Sequence, residues 1–249
     1  MKTSIRKYIA AFLTILSMTA YGQDTSGVEV KSRLMEINVG YGYMRNDYSQ
    51  LNQYLQSSGY SGVSQNIGLF SVGISAMAKR LVFSYELQLF SSPTQTNTGN
   101  INMSTNGWGT ELMFGYQIIK KARFRFYPYV GIGDNFTSLN IEDNTTQTSL
   151  NGLMAAQKNN ATVSFTNYAV DLGLKADFMI NRPGDTECPQ ISRYMAIGIK
   201  AGYYIRLTNS PHADYNNQQL DNNPPVGMSG PYVRAVIGFG RKIKEVNWK

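Results

Sequence analysis

Cysteine and histidine are all but missing: Cys188 and His212 stand alone in 249 residues. A single cysteine closes no intrachain disulfide, so a stapled secreted fold is excluded and the chain must be held together by other means. Cys188 is read as a thiol without consequence, with an intermolecular disulfide as the alternative. A single histidine leaves little for metal or acid–base chemistry. His212, Asp214 and Asp221 share one Asn-rich stretch, yet their spacing matches no metal loop, and no metal or other cofactor is expected. Long apolar runs are missing too. After Gly22 nothing approaches the roughly 18 residues of a helical membrane span.

The one compact apolar run, Ile9 to Ala20, follows Lys2, Arg6 and Lys7 and precedes the small residues of Ala20-Tyr21-Gly22. That order predicts a secretory signal peptide over 1–22, leaving 23–249 as a single domain. No cysteine follows the run, so a lipoprotein anchor is not indicated. Loss of the leader removes three basic residues and lowers the net charge from +7 to +4.

Alternation is what the rest of the chain has in abundance. In "RYMAIGIKAGYYIR" (193–206), Met195, Ile197, Ile199, Ala201, Tyr203 and Ile205 form one face of a strand. Ala196, Gly198, Lys200, Gly202, Tyr204 and Arg206 form the other. The same pattern recurs over Leu34–Arg45, Ile67–Ala78, Leu81–Phe90, Gly107–Ile118, Phe124–Phe136, Thr162–Ile180, Tyr194–Leu207 and Pro231–Arg241. Most of these exceed the 5–6 residues typical of soluble strands and match the roughly 9–11 of a tilted membrane-crossing strand. Short turns such as Met77–Arg80 and Ile119–Arg123 alternate with long loops rich in Asn, Ser, Thr and Gln. The expected fold is all-β, an eight-stranded antiparallel up-and-down transmembrane β-barrel. The long loops carry one basic residue, Lys158. Lys79, Arg80, Lys120, Lys121, Arg123, Arg241, Lys242 and Lys244 crowd the turns and the C-terminal end, where they meet anionic headgroups or simply water.

Which face looks inward decides the class. The polar parity carries Glu36, Glu86, Glu111, Asp171 and Asp177 with Arg125, Lys175, Lys200, Arg206 and Arg234, together with Gln88, Tyr127, Tyr129 and many glycines. If the apolar face pointed inward, the chain would be a soluble ligand-binding barrel resembling a lipocalin. Aromatics near both strand ends (Tyr41, Tyr43, Phe70, Trp108 and Tyr203; Phe83, Tyr85, Tyr116, Phe124, Phe126, Phe178 and Phe239) and small residues interleaved among the charges favour the opposite. Ten ionisable groups inside so narrow a cylinder must pair. By rough height, Glu111, Asp171, Arg206 and Arg234 lie toward the loops. Glu36, Glu86, Asp177, Arg125 and Lys175 lie toward the turns. The lumen is expected to be plugged by side chains.

The stretches "INVGYGYM", "YPYVGIG", "MAIGIKAGYYIR" and "GPYVRAVIGFGRK" resemble the small outer-membrane β-barrel family of the OmpX and OmpA-transmembrane-domain type, and more particularly its porin-family, PorT-like barrel domains. The resemblance covers nearly the whole mature chain. It implies an outer-membrane barrel in contact with outer-membrane lipids. No peptidoglycan-binding domain like that of longer relatives is expected here, and either Phe239 or Trp248 could serve as the assembly signal.

The expected role is non-enzymatic: structural, or interaction through polar loops. The alternatives are an accessory subunit of an outer-membrane secretion or surface machine, a narrow ion channel and, last, a lipid A-modifying hydrolase that would have to use His212. A protein partner at the loops or turns is conceivable; nucleic acid is not expected. Gly40-Tyr41-Gly42, Gly131-Ile132-Gly133 and Gly238-Phe239-Gly240 precede no helix and are not phosphate loops. In the first loop, "SQLNQYLQSSG" predicts a short helix with Ser49 as N-cap, Leu51, Tyr54 and Leu55 on one side, and Gly59 as its stop. It is read as a lid on the barrel mouth, or else as a partner-binding patch.

Overall fold

A computed structural model describes residues 32–96, 101–121, 123–143, 161–181, 191–207, 212–215, 218–219, 224 and 226–244. The expected signal peptide, Lys158, Cys188, Asp221 and Trp248 lie outside them.

In chain order the elements are β1 (Ser32–Arg45), α1 (Ser49–Ser57), β2 (Asn66–Ala78), β3 (Leu81–Ser91), β4 (Gln95–Thr96), β5 (Ile101–Tyr116), β6 (Ile119–Lys120), β7 (Phe124–Asp143), β8 (Ala161–Asn181), β9 (Ile191–Arg206), β10 (His212–Tyr215), β11 (Gln218–Gln219) and β12 (Gly230–Lys244). Eight of these are long. Each pairs antiparallel with its neighbour in sequence, from β1–β2 through β7–β8 and β8–β9 to β9–β12. The ring closes where β12 meets β1, with Ile37 opposite Phe239 on one side and Ile74 on the other. This is an eight-stranded up-and-down barrel without a free edge, so every ladder hydrogen bond is made within the chain.

Side-chain direction settles the class. Ile37 is 58% exposed and Met35 63%, while Glu36 between them is 3% exposed. Along β2 and β3 burial alternates without a break. Apolar side chains cover the outside and charged ones the inside, which is the arrangement lipid requires and water penalises. The lipocalin-like alternative is thereby excluded. No helix among the described residues is long and apolar enough to cross a membrane; the crossing is made by strands.

Two strands outrun the bilayer. β7 has 20 residues and β8 has 21, about twice the ~9–11 needed to cross. Their upper halves pair with each other and with β5, and β10 adds onto β8 with His212 opposite Thr166. In this projecting wall the pattern inverts. The outward parity turns polar past Trp108 and Phe136 (Asn102, Ser104, Ser138, Asn140). The inward parity becomes apolar, with Met103, Leu139 and Phe165 buried. β5 starts at Ile101 and not at Gly107, and β7 runs on to Asp143, because these segments pack as a sheet over a core where the sequence suggested loops.

That core fills the loop end of the barrel. Met44, Ile67, Leu69, Phe90, Leu139 and Phe165 pack with Leu51 and Leu55 of α1 and with Val226 and Met228. The helix therefore sits as a lid over the mouth. Tyr54, expected on its packed side, is 58% exposed, since only the i, i+4 pair Leu51 and Leu55 faces down. Nor is Ser49 the cap: it is the first helical residue, and Asp47 Oδ1 accepts from both its backbone N–H (3.1 Å) and its hydroxyl (2.6 Å). Gly59, at φ 84°, stops the helix in the left-handed region. Tyr60 N–H then bonds back to the Leu55 carbonyl.

The charged lumen as candidate functional site

Below the apolar mouth the inward parity of the strands meets in the lumen, and it does so in two layers. Near the turns, Arg125 on β7 lies between Glu36 on β1 (2.7 Å) and Asp177 on β8 (3.0 Å). Lys175 faces the same two carboxylates at 3.7 Å each. Toward the loops, Lys200 on β9 reaches Glu86 (3.2 Å), Asp171 (3.5 Å) and Glu111 (3.6 Å), and Arg234 on β12 lies 3.1 Å from Glu86. All nine residues are buried, with Arg125, Lys200 and Arg234 each 1% exposed.

The layers arise from strand register. Glu86 and Glu111 are cross-strand neighbours on β3 and β5. Lys175, Lys200 and Arg234 are consecutive neighbours across β8, β9 and β12. Like charges opposite one another in a sheet repel. Here an acidic wall faces a basic wall across the barrel, so the repulsion within each wall is offset by attraction across the lumen. The arrangement needs both walls, and four different strands supply the loop-side clamp between Lys200, Glu86, Glu111 and Asp171.

Each buried cation also lies over a tyrosine ring: Arg125 over Tyr194 (5.6 Å), Lys175 over Tyr127 (6.0 Å), Lys200 over Tyr129 (4.7 Å) and Arg234 over Tyr232 (4.9 Å). Tyr hydroxyls complete the acids. Tyr232 donates to Asp171 (2.6 Å) and Tyr204 to Glu111 (2.9 Å); Gln88 donates to Glu111 and Tyr129 is paired with Tyr232. Room for these large groups comes from glycine. A Cβ at Gly131 would collide with the Glu111 carboxylate, and one at Gly198 with that of Asp177. A void of about 10 Å³ bordered by Glu86, Tyr129, Lys175 and Lys200 is the room of about one water.

Two placements differ from the sequence reading. Glu86, placed by height with Glu36 near the turns, pairs instead with Lys200 and Arg234, because the register of β3 against β5 carries it to the loop-side layer. Arg206 lies outside the two lumen layers. It lies half-buried at the end of β9, near Asp47. Tyr194 and Tyr232 were not singled out from the sequence, and Tyr204 was only placed on the polar face. Their signal was parity: each shares the inward parity of Lys200 or Arg234. At the turn end Leu34, Met77, Val82 and Met179 close the barrel, apolar residues on a face expected to be polar.

His212 and Asp214 fall on β10, whose backbone pairs with β8 through Thr166 and Ser164. Among the described residues no group of His, Cys, Asp and Glu is arranged to hold a metal ion.

No protein-family model matches the chain, and no curated protein matches it. Among solved structures the chain is similar to a major outer membrane protein from Thermus thermophilus, at 12% identity over 85% of this chain and 99% of that one, with a TM-score of 0.45. It is similar to Ail, the attachment invasion locus protein of Yersinia pestis, solved with the heparin analogue sucrose octasulfate (10% identity, 86% and 100% covered, TM-score 0.40). It is also similar to Neisserial surface protein A (9% identity, 86% and 97% covered, TM-score 0.31). The chain's own geometry puts it in the bilayer. A closed barrel with an apolar outer face, aromatic rows at both ends of that face and a charged interior is an outer-membrane barrel.

Proposed function

We propose that the protein is a sealed outer-membrane barrel with a structural or interaction role, presenting the projecting β5–β7–β8 wall and its loops on the outer side and the basic turns on the inner side. The observation that supports this reading is the double closure of the lumen. Two interlocked layers of buried ion pairs are followed by an apolar core under α1. An ion crossing such a path would have to shed its water and break paired charges. Residues 23–249 form the barrel domain and 1–22 its leader in this reading. Reconstituted in planar bilayers, the wild-type chain is expected to show no discrete conductance steps; regular steps would sink the sealed-barrel reading in favour of a narrow channel.

A non-enzymatic role is part of the proposal. Lipid A acyl composition should be unchanged by His212→Ala, and a changed composition would favour the hydrolase. The accessory-subunit reading draws on the projecting wall, whose outward side chains are mostly Ser, Thr and Asn, with Glu142 exposed among them. The sucrose octasulfate of the Yersinia protein is not carried over, because the long loops here hold one basic residue, Lys158.

A further inference from the structure

The two charged layers of the lumen differ in balance. Near the turns two carboxylates, Glu36 and Asp177, meet two cations, Arg125 and Lys175. Toward the loops three carboxylates, Glu86, Glu111 and Asp171, meet only Lys200 and Arg234 among the described residues. Lys175 also borders Glu86, but Glu36 and Asp177 already share that cation, so the surplus of one acid remains. The other polar side chains turned toward the loop-side layer are neutral: Gln88 from β3, Tyr129 from β7, Tyr204 from β9 and Tyr232 from β12. All of these groups are buried, and an unmatched charge in such a place is costly.

The surplus is localised. The carboxyl groups of Glu111 on β5 and Asp171 on β8 stand within hydrogen-bonding reach of each other. Gly131 on β7, the cross-strand neighbour of Asp171, makes the approach possible, since a Cβ there would collide with Glu111 Oε1. One oxygen of each acid is well served. Glu111 Oε2 accepts from Gln88 and Tyr204, Asp171 Oδ2 accepts from Tyr232, and Lys200 lies 3.6 and 3.5 Å from those two oxygens. The second oxygens, Glu111 Oε1 and Asp171 Oδ1, are buried and receive no hydrogen bond among the described residues. Two ionised carboxylates offer each other only acceptors, and two so close in a water-free place cannot both stay ionised. A proton on one makes it a donor to the other and cancels the surplus charge in the same step. We propose that Glu111 and Asp171 form a buried proton-binding site, sharing one proton that leaves the lumen electrically neutral at neutral pH. The proton belongs to the pair and not to either residue alone. A metal cation would cancel the same charge, but the water-sized void of this layer borders Glu86 and Lys200 and neither of these two acids. The site goes beyond the sealed-barrel reading, because it holds its proton whether or not the lumen conducts.

The test uses the folded chain in an ester-free detergent, read by infrared spectroscopy at neutral pH. A protonated carboxyl has a carbonyl stretch that a carboxylate lacks, and solvated acids are ionised at that pH. The unaltered chain is expected to show this band, and heavy-carbon labelling of its Asp and Glu carboxyls should shift it, a readout that needs no variant. Glu111→Gln and Asp171→Asn should each abolish the band. Each should also leave the denaturant midpoint close to that of the unaltered chain, because one amide beside one carboxylate reproduces the donor and the charge of the protonated pair. The two changes together remove the anion that Lys200 needs and should lower the midpoint well below either single variant, a non-additive outcome. Asp177→Asn in the balanced turn-side layer should lower it alone. Heat-modifiable mobility in dodecyl sulfate gels confirms folding of each variant. Absence of the band from the unaltered chain overturns the proposal, as does a band that survives both single changes. Replacing sodium by potassium at fixed ionic strength should not move the midpoint; a dependence on the ion would show a metal cation balancing the surplus and overturn the proposal as well.

Discussion

Arg125 holds two carboxylates at once, Glu36 at 2.7 Å and Asp177 at 3.0 Å, in a place with no access to water. Burying such a set gains little over an apolar core of the same shape, because desolvation offsets most of the attraction; removing one member is another matter. Arg125→Ala leaves two acids to share Lys175 at 3.7 Å. It is expected to destabilise the barrel by about 3–5 kcal/mol, read from the denaturant midpoint in lipid vesicles. Adding Glu36→Gln and Asp177→Asn should recover a large part of that loss. No recovery would mean that Arg125 matters through its stacking on Tyr194 and its packing, and not through charge. That these residues face the lumen was legible in the sequence, because parity in a strand is a local property fixed by the two-residue period. Their partners were not legible. Glu86 pairs with Lys200, 114 positions away, and such pairings depend on how every strand is staggered against the next.

At the scale of the element, α1 shows what a hydrophobic pattern gives and what it misses. Leu51 and Leu55 mark the buried stripe and Gly59 the stop, but the bonds at the first helical residue come from Asp47, outside the pattern. Its carboxylate accepts from the Ser49 hydroxyl and backbone N–H, and those bonds hold its pKa below the ordinary 3.8. For a lowered pKa the stabilisation is complete above about 3.8 and disappears as the pH falls through the lower folded-state value. The Ser49 and Asn52 amide resonances should therefore shift with a midpoint below 3.8, and Asp47→Ala should remove that transition while leaving the barrel signals in place. A midpoint at or above 3.8 would mean that the Asp47–Ser49 bonds are not formed. The long strands teach the complementary lesson. β7 reads as ending near Phe136 because its outward parity turns polar there. The strand continues, but its surroundings change from lipid to water, so the same parity needs the opposite chemistry.

The whole molecule is thus a barrel with a projecting sheet above it, the two sharing strands but inverted in solvent. In the lower part lipid lies outside and ion pairs within; in the upper part water lies outside and an apolar core within. The inversion makes a quantitative demand on a single strand. Leu174 and Thr162 lie on the same outward face of β8, with Leu174 amid the apolar band, 51% exposed, and Thr162 beside Asn140 on the projecting wall. Leu174→Arg is expected to cost about 2–4 kcal/mol, the penalty for a cation facing the bilayer midplane. Thr162→Arg, exposed to water, should stay within about 0.5 kcal/mol. Both are measured by reversible unfolding in lipid vesicles, with vesicle leakage and protease resistance as checks on insertion. Equal costs at the two positions would place the upper wall in lipid, or the lower band in water. Either outcome would break the link between the outward pattern and the surroundings on which the membrane boundary at Trp108, Phe136 and Tyr168 rests.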